Sequence, residues 1–167
     1  MNHIFLIGFM GCGKSAVSTY MSQKHNMDVV EMDEEIVRRE NMTISEIFER
    51  KGENYFRDME SQLLQELEMQ SGKVVSCGGG VILREENVEI MKKNGFIVLL
   101  TAEPETILQR VKDDDNRPLL QGNKNVEYIK ELLEKRIPYY TKAADIIVQT
   151  DNKSIKEICK EILEYRR

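Results

Sequence analysis

Eight residues near the amino end have the glycine spacing of a phosphate-binding loop. The segment Gly8–Ser15 reads GFMGCGKS and directly follows the apolar run Ile4–Ile7. Such a loop needs glycine where φ is positive and where backbone approaches phosphate closely. The lysine supplies charge for the β- and γ-phosphates, the serine hydroxyl suits Mg²⁺, and the next helix directs its positive end at the anion. We therefore expect a nucleoside triphosphate to be bound by Gly11, Cys12, Gly13, Lys14, Ser15 and Ala16; a plain glycine-rich turn is the alternative.

Two carboxylates follow the second strand that the sequence predicts. Glu31 and Asp33 flank one methionine, so in an extended segment their side chains lie on the same side. At that edge of the sheet, close to the phosphate loop, either can hold Mg²⁺ through water or orient an acceptor hydroxyl. The alternative is helix capping, because Asp33 precedes Glu34-Glu35-Ile36 and aspartate is a favoured N-cap residue.

Three consecutive glycines, Gly78, Gly79 and Gly80, follow the third predicted strand. Each loses much backbone entropy on folding, so three in a row are costly. One glycine would serve a tight turn, which is the alternative here. We therefore expect a bound small molecule to approach this backbone closely.

Four arginines stand out by their sequence context. Arg57 has Glu60 three residues later as a helical partner. Arg110 lies on a predicted helix, Arg117 is followed by Pro118-Leu119-Leu120, and Arg136 is expected to close a helix. An arbitrary arginine is usually a solvated surface charge, so none of the four identifies a site alone.

The elements that must position these residues are short apolar strands, which alternate with helical segments along the sequence. This alternation predicts an α/β fold with a parallel sheet covered by helices, whose ligands lie beyond the carboxyl ends of the strands. The predicted strands are Ile4–Ile7, Val29–Glu31, Val74–Ser76, Ile97–Leu100 and Ile146–Val148. The predicted helices are Lys14–His25, Ser45–Gln70 with a break near Gly52, Arg84–Asn94, Glu105–Lys112, Val126–Arg136 and Ser154–Tyr165.

Two stretches depart from the alternation. The connection from Asp33 to Lys73 exceeds one crossover helix, which predicts a helical insertion at residues 33–60. Residues 113–124 carry acids, Arg117, Pro118 and Gly122 without an apolar period, which predicts a lid loop over 112–124. We expect both to move within a single domain spanning 1–167.

Composition excludes several classes of protein. With 167 residues, 41% hydrophobic and 32% charged, the chain can bury a full core in one domain. A net charge of −5 argues against nucleic acid as a partner. Three cysteines without C-x-x-C spacing and only two histidines favour reduced thiols over disulfides or a zinc site. Without a secretory signal or a long apolar run, a cytoplasmic location without membrane contact is expected.

Taken in order, these motifs resemble the shikimate kinase family over nearly the whole chain. The matching features are Gly8–Ser15, Glu31 with Asp33, the GENYFRDME segment at Gly52–Glu60, Gly78–Gly80, RPLL at Arg117–Leu120 and RIPYY at Arg136–Tyr140. The resemblance implies a three-layer α/β/α architecture with a five-stranded parallel sheet, of the nucleoside monophosphate kinase-like P-loop class. It also implies ATP and Mg²⁺ as cofactors, shikimate as small-molecule substrate, and a monomer.

The same resemblance implies a role for each singled-out residue. Asp33 would orient or deprotonate the attacking 3-hydroxyl, Arg57 and Arg136 would grip the substrate carboxylate, and the three glycines at 78–80 would approach the ring. Lys14 and Arg117 would stabilise the transferring phosphoryl group, and Arg110 would lie against adenine. Ser15, Glu31 and Asp33 are the metal candidates, although many family members have Asp where this chain has Glu31.

Two other functions fit part of the pattern. A related small-metabolite kinase such as gluconate kinase shares the phosphate loop and the sheet, but the glycine triplet and RIPYY segment fit it less well. A regulatory nucleotide-binding module without turnover would not need Lys14, Ser15, Asp33 and Arg117 together.

Overall fold

A five-stranded, all-parallel sheet forms the centre of the protein. The structure is a computed structural model that describes residues 2–112 and 125–166. In spatial order the strands are β2 (Val29–Glu31), β3 (Val74–Ser76), β1 (His3–Ile7), β4 (Gly95–Thr101) and β5 (Ile146–Gln149). Every neighbouring pair is parallel. The predicted α/β class and parallel sheet are therefore confirmed.

The sequence of the central strand β1 is an uninterrupted apolar run after His3, and the position of the strand in the sheet explains this pattern. It pairs with β3 on one side and β4 on the other, and all five of its residues are buried. A strand that is covered on both faces favours continuous hydrophobic residues over alternation. His3 is also satisfied, because its Nε2 lies 2.9 Å from the Leu67 carbonyl and its Nδ1 accepts a 2.9 Å hydrogen bond from the Lys73 N–H.

Eight α-helices connect and cover the strands within the described ranges. They are α1 (Lys14–His25), α2 (Met32–Glu40), α3 (Ile44–Lys51), α4 (Glu53–Leu67), α5 (Glu85–Asn94), α6 (Pro104–Val111), α7 (Val126–Ala143) and α8 (Ile155–Tyr165). Helix α1 packs against β1, β3 and α8, whereas α4 packs on α5 and both α5 and α7 reach β4. The helices therefore cover the sheet in the three-layer α/β/α arrangement that the family resemblance implies.

Helix α2 was not among the helices predicted from the sequence. The sequence predicted a helical insertion at residues 33–60 without a defined helix before Ser45, and Asp33 was a possible N-cap; the helix begins at Met32 and Glu31 occupies the N-cap position. Met32 and Ile36 are four residues apart and both fully buried, which supplies the apolar face that stabilises this helix. Asn41 then ends it in the left-handed conformation, with φ of 50°.

Helix α7 continues beyond the predicted end at Arg136. It runs through Pro138 to Ala143, although proline lacks the N–H that would bond the Glu134 carbonyl. Both Pro138 and Glu134 are exposed, so water can satisfy that carbonyl. The buried Arg136 and Tyr140, one turn apart, hold this part of the helix against the protein.

The break predicted near Gly52 is present. Gly52 separates α3 from α4 with φ of 89°, in the region that favours glycine. Helix α3 begins with a capping box, in which Thr43 and Glu46 each accept from the other's backbone N–H. Helix α4 ends at Leu67, three residues before the predicted Gln70.

None of the helices within residues 2–112 and 125–166 combines the length and apolar character needed to cross a bilayer.

Candidate active site

A cavity of about 590 Å³ opens where β1, β2 and β3 end. Most residues predicted to bind nucleotide, metal or substrate line this one cavity: Gly11, Gly13, Lys14, Ser15, Ala16, Glu31, Asp33, Arg57, Gly78, Gly79, Gly80, Arg110 and Arg136. Cys12 does not line it, because its side chain is buried and its N–H donates to the Phe9 carbonyl at 3.2 Å. Arg117 and the predicted lid at 113–124 lie outside the described residues.

The loop from Gly8 to Gly13 has the backbone conformation that its glycines predict. Gly8, Gly11 and Gly13 have φ of 144°, 80° and 96°, where a side chain would be strained. At Gly8 a Cβ would also collide with the Leu100 carbonyl oxygen. These glycines therefore bend the chain between β1 and α1, as a phosphate cradle requires.

The amino end of α1 is electrostatically different from the other helix starts. Helices α2 to α8 each carry an acidic residue in the first turn, whereas α1 has none. An acid in that turn would neutralise the positive end of the helix dipole. In α1 this positive end remains available to an anion in the cavity.

Two basic side chains reach the phosphate loop itself. Lys14 Nζ donates to the carbonyls of Gly8 at 2.7 Å and Phe9 at 3.1 Å. Arg110 Nη1 donates to the Gly11 carbonyl at 2.8 Å and to Thr150 Oγ1 at 3.4 Å. The loop thus holds a lysine on its inner side and an arginine beside its glycines.

A hydroxyl and a carboxylate lie side by side next to Lys14. Ser15 Oγ donates to Glu31 Oε2 at 3.0 Å, and Ser18 Oγ donates to Glu31 Oε1. Ser15 is exposed and Glu31 half-buried, and both line the cavity. Oxygen donors of these types are the ligands that Mg²⁺ prefers. Within the described residues, no group of three His, Cys, Asp or Glu side chains could hold a metal alone, so the geometry suits an ion that is also bound by phosphate and water.

Asp33 and Glu60 meet beside the backbone of Gly78. A Cβ placed at Gly78 would lie 3.0 Å from Asp33 Oδ1 and would collide with Glu60 Oε2. Glu60 is fully buried, and this burial raises its pKa to about 7, with the Arg57 charge opposing the rise and the Asp33 charge adding to it. Two carboxyl groups are thus brought together at the end of β3.

Arg57 is held by carboxylates on its own helix. It donates to Glu60 Oε1 at 2.6 Å and to Glu53 Oε1 at 3.2 Å, and it is only 8% exposed. The contact with Glu60 predicted from the i, i+3 spacing is therefore present. The Arg57 Nε makes no hydrogen bond to a described residue, so this buried guanidinium retains capacity for an anionic ligand.

Arg136 reaches the same cavity from α7. It is 7% exposed, and its guanidinium carbon lies 5.8 Å from the ring centroid of Phe9 in the phosphate loop. One turn later, Tyr140 Oη donates to the Gly79 carbonyl at 2.6 Å, and burial raises the pKa of that phenol to about 12. The neutral Tyr140 thus fixes α7, and with it Arg136, to the glycine triplet.

Charged side chains occupy the space that the three glycines leave open. A Cβ at Gly80 would lie 2.5 Å from the Arg57 guanidinium carbon, and one at Gly79 would lie 3.2 Å from Arg136 Nη1. A ligand or a tight turn was expected at this backbone from the sequence, and these side chains were not. The glycines bring two guanidinium groups and two carboxyl groups to one strand end.

Several lining residues were given no binding or catalytic role from the sequence: Met10, Glu34, Val37, Arg38, Ile44, Phe48, Phe56, Ser76 and Cys77. Those on α2 were missed because the bounds of a helix within the predicted insertion were not defined there. Ser18 was also overlooked, although its position three residues after Ser15 on a helix places both hydroxyls on one face.

Known proteins match this chain over nearly its whole length. A family model described as shikimate kinase matches residues 10–166. A shikimate kinase of Dehalococcoides mccartyi is 44% identical over 99% of this chain and 94% of that protein.

Solved structures match as well. A shikimate kinase from Acinetobacter baumannii in complex with shikimate superposes with a TM-score of 0.93 and 34% identity, over 99% of this chain and 93% of that one. A shikimate kinase from Aquifex aeolicus gives a TM-score of 0.80 and 38% identity, over 98% and 95% of the two chains. The sequence matches and the superpositions extend over nearly the whole length, and the chain belongs to the shikimate kinase family.

Proposed function

We propose that this protein transfers the γ-phosphoryl group of ATP to the 3-hydroxyl of shikimate. The observation that carries the proposal is one cavity that joins a phosphate loop to a carboxylate and two buried arginines. Phosphoryl transfer needs mainly in-line positioning and stabilisation of negative charge. Family membership supports the same reaction. Neither gluconate as acceptor nor a module without turnover is favoured by a specific feature of the site.

On the donor side, residues 11–16 and Arg110 would hold ATP. The positive-φ glycines and the acid-free start of α1 favour phosphate at this point. Lys14 would exchange its carbonyl partners for phosphate oxygens, where its charge opposes the negative charge of the transferring group. Arg110, beside the loop and Thr150, would flank the base.

Ser15, Glu31 and Asp33 are the proposed residues for Mg²⁺. Support comes from the adjacent Ser15 hydroxyl and Glu31 carboxylate, which both line the cavity. When bound, the ion would neutralise charge on the β- and γ-phosphates. Ser15 and Glu31 would fix its place, and Asp33 would face both the ion and the acceptor.

On the acceptor side, Arg57 and Arg136 would bind the shikimate carboxylate. A guanidinium pairs with a carboxylate through two parallel N–H···O bonds, which fixes the direction of the ring. Asp33 would accept a hydrogen bond from the attacking hydroxyl and take its proton. Gly78, Gly79 and Gly80 would let the ring approach the strand end.

Exclusion of water is the remaining requirement, since an open site would favour ATP hydrolysis. We propose that residues 33–60 and the loop at 112–124 close over the substrates, with Arg117 contributing charge to the phosphoryl group. Gly52, with its left-handed φ, offers a hinge inside the first segment. The role of Arg117 stays a prediction from the sequence. The same holds for a monomeric state, a cytoplasmic location and the lack of nucleic acid or membrane partners.

The reaction is tested by Mg-ATP-dependent release of ADP with shikimate, with gluconate and without acceptor. Stimulation by shikimate alone, with phosphorus NMR placing the phosphate on the 3-hydroxyl, is expected. Equal rates with and without every acceptor, while ATP still binds, would reject the proposed acceptor.

Arg136→Lys should raise the KM for shikimate about 10- to 100-fold with a smaller change in kcat. Lysine keeps the charge but loses the paired hydrogen bonds, and a hydrogen bond to a charged group contributes about 1.5–3 kcal/mol. Steady-state kinetics at saturating ATP measure this effect. Arg50→Lys, at an exposed position on α3, is the matched control and should leave both constants unchanged. An unaltered KM in Arg136→Lys would remove Arg136 from the carboxylate site.

Gly80→Ala should weaken shikimate binding about 10-fold without changing ADP affinity. Gly80 has a φ of −102° that alanine adopts without strain, so the effect is steric. The new methyl group would displace the Arg57 guanidinium, 2.5 Å away. Isothermal titration with shikimate and with ADP separates the two sites. A parallel loss of both affinities would indicate general misfolding instead.

A further inference from the structure

Ser18 lies under the proposed metal site without reaching the cavity. It is fully buried on α1, one turn after Ser15. Its hydroxyl donates to Glu31 Oε1 and also lies 2.9 Å from the Ser15 carbonyl oxygen. Nothing in the proposed reaction so far uses this side chain.

Ser18 gives the Glu31 carboxylate a second point of attachment. Glu31 Oε2 accepts from Ser15 Oγ at 3.0 Å, and Oε1 accepts from Ser18. With one hydroxyl on each oxygen, rotation about the last bond of the side chain would break a hydrogen bond. With Ser15 alone, the carboxylate could turn away, because Glu31 is only half-buried.

In this arrangement the Ser15 hydroxyl and the Glu31 carboxylate can both still coordinate a metal ion. A carboxylate oxygen has two lone pairs, and a serine hydroxyl that donates its hydrogen keeps its own lone pairs. Glu31 Oε2 and Ser15 Oγ can therefore face an ion or its bound water while they stay bonded to each other. The side chain of glutamate is also one methylene longer than that of aspartate, which lets it reach from β2 to two successive turns of α1.

The Ser18 hydroxyl matters less to the helix than to Glu31. It has one hydrogen and two acceptors, and the Ser15 carbonyl is also an acceptor in the i→i+4 hydrogen-bond ladder of α1. Alanine is the most favourable residue in a helix interior. Replacing Ser18 by alanine should therefore keep α1 folded and leave Glu31 Oε1 without its donor.

We infer that Ser18 is a positioning residue that acts through Glu31 to hold the Ser15 hydroxyl and the Glu31 carboxylate together as the metal-binding pair. The inference rests on the Mg²⁺ site proposed above. The length of the Glu31 side chain fits this role, because its carboxylate reaches hydroxyl donors on two successive turns of α1.

The test is Mn²⁺ binding in the presence of saturating ADP, followed by the electron paramagnetic resonance signal of free Mn²⁺. Ser18→Ala should weaken Mn²⁺ binding about 10-fold, as is usual for loss of a group that orients a metal ligand. ADP affinity without metal should stay the same. Ser22→Ala is the matched control, since Ser22 lies on the next turn of α1 and donates no hydrogen bond to Glu31.

A double-mutant cycle separates positioning from a general packing role. On a Glu31→Ala background, Ser18→Ala should change Mn²⁺ affinity by less than about 2-fold, because the side chain through which it acts has been removed. Unchanged affinity in the single variant, or an equal loss on both backgrounds, would overturn the inference while leaving the proposed reaction intact. If the wild-type protein with ADP bound no Mn²⁺, the proposed metal site and this inference would both be rejected.

Discussion

Lys14→Ala should lower kcat for phosphoryl transfer by about 10³-fold, the usual scale for removing a group that stabilises charge in the transition state. The Lys14 ammonium lies within the loop, bonded to the carbonyls of Gly8 and Phe9 at 2.7 and 3.1 Å. It also lines the cavity in which the γ-phosphate would bind. Charge develops on that group during transfer, so the loss should appear in kcat more than in the KM for shikimate.

Lys24→Ala provides the matched control for this variant. Lys24 lies in the last turn of the same helix and is exposed, so its loss removes a lysine from α1 without touching the cavity. Coupled ADP release measures both variants, and shikimate titration checks that the acceptor site is intact. If Lys14→Ala kept more than about a tenth of wild-type kcat, charge stabilisation would have to come from other residues.

The parts of the fold that the sequence predicted well depend on short-range patterns. The loop GFMGCGKS joins a buried strand to a helix, and its glycines have the positive φ values that the spacing requires. Each predicted strand is present, with β4 longer at both ends. These features are local. The burial of an apolar run between two turns, and the backbone freedom of a glycine, follow from the residues of that short segment.

The errors arose where burial of distant residues decides the outcome. Helix α2 has three acidic residues in its first turn and looks polar in sequence, but the fully buried Met32 and Ile36 hold it against the core. Helix α7 crosses Pro138 because that side of the helix is exposed while Arg136 and Tyr140 on the other side are buried. Neither contact can be deduced from the residues next to it.

The candidate site shows the same difference between local patterns, which the sequence predicts, and long-range packing, which it does not. Residues after strand ends, such as Glu31 and Gly78–Gly80, could be selected because parallel strands direct their carboxyl ends to one edge. Arg57 and Arg136 stood out by their sequence context, but only the family resemblance gave them a role. Their positions in the site depend on how α4 and α7 pack. The pairing of Ser18 with Glu31 joins a helix to a strand, and the sequence contains no separate signal for it.

Asp33→Asn should lower kcat about 10²- to 10⁴-fold, the range for loss of a general base, while ADP affinity changes less than about 2-fold. Asparagine has nearly the same shape as aspartate but can neither take a proton nor carry the charge that attracts the attacking hydroxyl. Asp33 Oδ1 lies beside Gly78 and Glu60, on the arginine side of the cavity. This position favours a role at the acceptor over one at the nucleotide.

The same variant decides between the two roles that were assigned to Asp33, because metal binding and proton transfer give different results. If Asp33 serves the acceptor, Mn²⁺ affinity with ADP stays near the wild-type value and only turnover falls. If Asp33 is chiefly a metal ligand, Mn²⁺ affinity falls with turnover, and a large loss of nucleotide binding would remove it from the acceptor site. Asp28→Asn is the matched control, since that side chain is 77% exposed before β2, and it should leave all three quantities unchanged. The loss in kcat compared with the loss in Mn²⁺ affinity therefore shows how much the Asp33 carboxylate contributes to proton transfer and how much to metal binding.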